Sequence, residues 1–91
     1  MDENKVIVIF KSSLFQDGID IEIPLNISAN ELIYGLNEGY KLMIDIDNPE
    51  DCYLRMENPI GLLRGETLLS EYGIRNGSVI YYERNKKTTQ N

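Results

Sequence analysis

Only one long stretch of this sequence repeats its apolar residues at helical spacing. Leu32, Ile33, Leu36 and Tyr40 fall on one face of a helix that should end between residues 39 and 42. Its start is marked by Ser28 as a cap and by Glu31 three positions on, the pattern of a capping box. Ile27 and Leu32 stand where a hydrophobic staple would form. Gly35 inside the helix costs about 1 kcal/mol relative to alanine, and is either tolerated or marks a close approach to a neighbouring layer. A chain of 91 residues supports one core. Its single amphipathic helix must therefore bury its stripe against whatever the remaining segments build.

Those segments read as strands. Residues 5–11 hold five consecutive apolar positions, Val6 to Phe10, which implies a strand covered on both faces. The Asp17-Gly18 pair turns the chain. Residues 19–25 then alternate, with Ile19, Ile21, Ile23 and Leu25 on one face and Asp20 and Glu22 on the other. Pro24 donates no ladder bond, so this second strand belongs at an edge, paired antiparallel with the first.

After an acidic loop over residues 45–51, residues 52–57 form a third strand with Cys52, Leu54 and Met56 inward and Tyr53, Arg55 and Glu57 outward. Asn58-Pro59-Ile60-Gly61 is a turn and residues 62–64 a short fourth strand. Residues 67–74 make a short helical turn, Asn76-Gly77 a tight turn needing positive φ, and residues 79–83 a final, central strand. The expected core includes Ile21, Leu32, Leu36, Leu54, Leu68 and Ile80. Residues 85–91 lack any apolar side chain and are expected to be a disordered tail, leaving 1–84 as the folded domain.

Net charge is −6, and residues 1–83 alone carry six basic and fifteen acidic side chains. That balance argues against a nucleic-acid surface, whose footprint is a basic stripe. It suits a protein that meets basic patches on partners. The single cysteine excludes an intrachain disulfide. The apolar run in the first strand is too short for a signal peptide or membrane span, and the first residues are acidic. A cytoplasmic location follows as the expectation, with any membrane association made through partners and no direct insertion.

Residues suited to catalysis are scarce. There is no histidine, the commonest general base and metal ligand. Cys52, inward and without a base beside it, reads as a small core residue. A calcium loop counted from Asp45 would need glycine at its sixth position and glutamate at its twelfth, and those hold Glu50 and Met56. The acidic loop therefore reads as solvated. No catalytic residue, cofactor or metal site is expected. Of the six tyrosines, Tyr34, Tyr53 and Tyr81 are expected to be exposed, and exposed tyrosine favours protein interfaces.

Threonine-leucine, a polar pair, tyrosine, a small residue, isoleucine, a polar turn and a strand, over residues 67–82, resembles the last third of ubiquitin. One long helix argues against a ferredoxin-like fold, which needs two. Element order and lengths over residues 5–84 instead resemble the ubiquitin-like β-grasp, an α+β fold with one helix across a mixed four- to five-stranded sheet. Conjugation and sulfur-carrier chemistry in that superfamily need a terminal Gly-Gly, and the sequence ends Lys86-Lys87-Thr88-Thr89-Gln90-Asn91. A modifier or sulfur carrier is thus the alternative to an adaptor.

An acidic ubiquitin-like chain without Gly-Gly most resembles the YukD/EsaB family of accessory proteins of type VII secretion systems in Gram-positive bacteria. The resemblance implies a non-enzymatic cytoplasmic protein that supports export of small helical WXG-type substrates. Its partner would be a cytoplasmic domain of a membrane component or ATPase. Aligning Leu54 and Ile80 inward places Tyr53, Arg55, Tyr81 and Glu83 on the sheet's outer face as the expected interaction residues. There a polar and aromatic surface would replace ubiquitin's apolar patch.

Overall fold

A computed structural model describes residues 4–83, and the tail expected over 85–91 lies outside them. The elements are β1 (Lys5–Lys11), β2 (Ile19–Pro24), α1 (Ala29–Tyr40), β3 (Leu54–Glu57), β4 (Gly61–Leu63), a 3₁₀ turn (Leu69–Tyr72) and β5 (Val79–Tyr81). The strands form one five-stranded sheet in the order β2-β1-β5-β3-β4. β1 pairs antiparallel with β2 and parallel with β5, and β3 lies antiparallel to both β5 and β4. One helix and one mixed sheet make the expected β-grasp. β5, the last strand, sits at the centre, and β2, with Pro24, is an edge.

Helix α1 forms where its start is capped. Ser28 Oγ accepts the Glu31 N–H at 3.1 Å, and Glu31 Oε1 accepts the Ser28 N–H at 2.9 Å. Both bonds satisfy amide donors that the first turn would otherwise leave unpaired. Ala29, Leu32, Ile33 and Leu36, at helical spacing, are buried. Tyr40 closes the stripe against Phe10 and Phe15, with ring centroids at 5.8 and 5.1 Å. Lys41 ends the helix in the left-handed conformation, φ 56°. Asn37 then brackets the chain beyond, accepting the Ile44 N–H at 3.0 Å and donating to the Ile44 carbonyl at 3.2 Å.

The helix start is also tied to the segment before the 3₁₀ turn. Ala29 N–H donates to the Thr67 carbonyl at 2.9 Å, and Leu69 N–H donates to the Ile27 carbonyl at 2.9 Å. This tie corrects the expected core. Leu68 holds the extended position before the turn and is 41% exposed, whereas Leu69, first in the turn, is fully buried. Leu32, Leu36, Leu54 and Ile80 are buried as expected, and Ile21 is half-buried.

β1 departs from expectation as well. Val8 and Phe10 are buried, but Ile7 is 51% exposed. The helix covers only the other face of the sheet, which leaves Ile7 on the outer face open. Gly35 and Gly39 lie on the solvent side of α1, where an added Cβ would meet nothing within 4 Å. No close approach to the sheet explains them. Gly18 is different. Its φ is +88°, and a Cβ would lie 2.6 Å from Ile9 Cγ2, so the turn between β1 and β2 requires glycine.

Candidate functional site

The outer face of the sheet carries the expected interaction residues. Register places Arg55 of β3 opposite Tyr81 of β5, and Tyr81 opposite Lys11 of β1. The next row is Glu57, Val79 and Ile9. Arg55 and Glu57 are exposed, while Tyr81, Val79 and Ile9 are half-buried among their neighbours. A side-chain hydrogen bond with Tyr81 is the leading cause that raises the Arg55 pKa above its ordinary value. Tyr53 and Glu83 act in the same direction, and slight desolvation opposes them. The guanidinium is thus charged, and it stands across from the phenol in the cross-strand register.

All four expected residues, Tyr53, Arg55, Tyr81 and Glu83, line one open groove with a volume of about 1320 Å³. Tyr53 stands just before β3 and, like Tyr81, is half-buried rather than exposed; Tyr34, on α1, is 54% exposed and lies elsewhere. The groove also has walls that sequence reasoning did not find. One is the turn after β1, with Leu14 60% exposed; the other is the segment after α1, with Lys41 and with Met43 73% exposed. Lys11 was legible as the last outward residue of β1. Lys41 and Met43 were not, because both adopt positive φ after the helix, 56° and 65°, and no local pattern announces where such a segment turns.

Charge is unevenly shared. Lys11, Lys41 and Arg55 line the groove against Glu57 and Glu83, and every other carboxylate of residues 4–83 lies outside it. The only other cations in that span are Lys5, Arg64 and Arg75. The expected interaction face is thus cationic on an acidic molecule.

The acidic loop is built by its own carboxylates. Asp51 Oδ2 accepts the Asp45 N–H at 2.8 Å, Asp45 Oδ1 accepts the Asp47 N–H at 3.1 Å, and Tyr82 O–H donates to Asp51 Oδ1 at 2.8 Å. Among the described residues no group of three or more His, Cys, Asp or Glu side chains is placed to hold a metal ion. Cys52 precedes β3 and is half-buried, packed against the core. Burial first, then Asp51, Asp45 and Asp47, push its thiol pKa up, which suppresses the reactive thiolate. Among the described residues no helix is long and apolar enough to cross a membrane.

No family model and no curated protein matches the sequence. Solved structures do match. The chain is similar to the C-terminal ubiquitin-like domain of mouse tubulin-specific chaperone e, at 13% identity over 94% of this chain and 92% of that one, with a TM-score of 0.68. It is similar to the ubiquitin-like domain of Plasmodium falciparum Dsk2, at 20% identity over 89% of this chain and 99% of that one, with a TM-score of 0.59. A designed protein based on ubiquitin matches at 16% identity over 96% of this chain and 99% of that one, with a TM-score of 0.64. Identities this low speak to the fold alone, and the fold is the ubiquitin-like β-grasp.

Proposed function

We propose that this protein is a non-enzymatic, non-conjugated ubiquitin-like adaptor that docks on a cytoplasmic domain of a type VII secretion membrane component or ATPase. The observation that carries the docking reading is the groove on the sheet face. It sets Arg55 and the half-buried Tyr53 and Tyr81 among exposed aliphatic side chains, and such residues anchor interfaces. Binding rather than chemistry suits the remaining residues: there is no histidine, and the one thiol is held protonated. No two of the seven glycines are adjacent, so the sequence offers no Gly-Gly for conjugation. The secretion assignment rests on the resemblance to the YukD/EsaB family.

The test deletes the gene in the source cell and measures export of small helical secreted substrates. The strain is then complemented with wild type or with Arg55→Glu plus Tyr81→Ala. Export should fall on deletion and return only with wild type. Undiminished export in the deletion strain would remove the secretion assignment, and full rescue by the double variant would refute the docking face. Mass spectrometry showing the protein covalently attached to others would replace the adaptor by a modifier.

A further inference from the structure

We propose that the groove takes an acidic, aliphatic peptide segment of a partner protein, its carboxylates received by Lys11, Lys41 and Arg55 and its aliphatic side chains by Leu14, Met43 and Val79. This rests on the reading of the sheet face as a docking surface and names what docks there.

Charge complementarity selects the occupant. The groove holds half of the cationic side chains of residues 4–83, on a molecule whose other surfaces are dominated by carboxylates. Among the described residues Lys11 and Lys41 have no ion-pair partner. An incoming carboxylate therefore need not displace an existing one. A basic segment would face three cations against two carboxylates, Glu57 and Glu83, whereas an acidic surface reaching beyond the groove would meet repulsion from the surrounding carboxylates. The arrangement admits a short acidic segment and disfavours a broadly acidic partner.

Shape and packing agree. About 1320 Å³ in an open groove exceeds the roughly 300–1,000 Å³ clefts that enclose small ligands. Leu14 and Met43, 60% and 73% exposed and both lining the groove, offer apolar surface, and methionine adapts to varied partners. Arg55, exposed and opposite Tyr81 in the strand register, presents a planar fork suited to a carboxylate.

The experiment pans a phage-displayed library of random linear peptides on the immobilised protein. Selected peptides are then measured as fluorescent synthetic versions against wild type and variants whose fold is verified by amide NMR. Selected peptides should be net acidic with aliphatic residues. Their affinity should drop at least about tenfold for Lys11→Glu plus Arg55→Glu, and stay within about twofold for Lys5→Glu plus Arg75→Glu, which lie outside the groove. Selection of nothing, or of neutral or basic peptides, would overturn the proposal, as would equal binding to the groove variant. Neutral or basic peptides that depend on Tyr81 would overturn the acidic class while keeping the docking face. A labelled single-stranded oligonucleotide bound by wild type and not by the groove variant would reassign the cations to phosphates and also overturn it.

Discussion

Replacing Leu68 and Leu69 separately by alanine tests the packing at the 3₁₀ turn, because the two neighbours should respond very differently. Leu69 is fully buried, and its N–H is fixed to the Ile27 carbonyl at 2.9 Å. Truncation removes three carbon atoms, worth about 0.8 kcal/mol each in transfer. It also leaves a cavity that a hydrogen-bonded backbone cannot readily close. Leu69→Ala should therefore cost about 3–4 kcal/mol, inside the usual range for buried leucine. That is a large share of a total near 5–15 kcal/mol.

Leu68 is 41% exposed, so water refills the space and no cavity forms; Leu68→Ala should cost less than about 1 kcal/mol. The protein has no tryptophan, so urea unfolding would be followed by far-UV circular dichroism. Equal m-values would establish that stability alone changed. In thermal melts Leu69→Ala should lower Tm by roughly 15–30 °C. Costs within about 0.5 kcal/mol of each other, or a larger cost at Leu68, would refute the assignment of Leu69 to the core.

Gly35→Ala, on the open side of α1, should stabilise the fold by about 0.5–1 kcal/mol in the same assay, since no contact opposes the added methyl. Tyr82→Phe should cost about 1.5–3 kcal/mol, because the buried phenol's bond to the Asp51 carboxylate is charge-assisted, and amide exchange across residues 45–51 should quicken. The raised Cys52 pKa means the folded thiol holds its proton longer than the unfolded one. The associated stability is complete below the unfolded pKa and is lost as pH rises through the folded value. Urea midpoints from pH 7 to 10 should thus fall more steeply for the native protein than for Cys52→Ser, and parallel curves would contradict the shift.

What the residues determine by themselves is the local grammar. Ser28 and Glu31 cap a helix because both bonds close within four residues, and Leu32, Ile33 and Leu36 share a face because of the 3.6 period. The alternation of Leu54 and Met56 with Arg55 and Glu57 follows from the two-residue period of a strand. These rules suffice for the outward placement of Arg55 and Tyr81, and the order of elements they yield is what resembles a β-grasp. Tertiary structure alone decided which apolar residues stay covered. Five consecutive apolar residues in β1 do not say whether a second layer exists; among the described residues none covers Ile7, which is exposed. Leu68 and Leu69 are chemically identical neighbours, separated only by how that segment is tied to the helix start. The groove was likewise beyond local rules. Its cations come from positions 11, 41 and 55, each following ordinary local preferences, and only the pairing of β1, β5 and β3, together with the left-handed turn after α1, brings them to one groove.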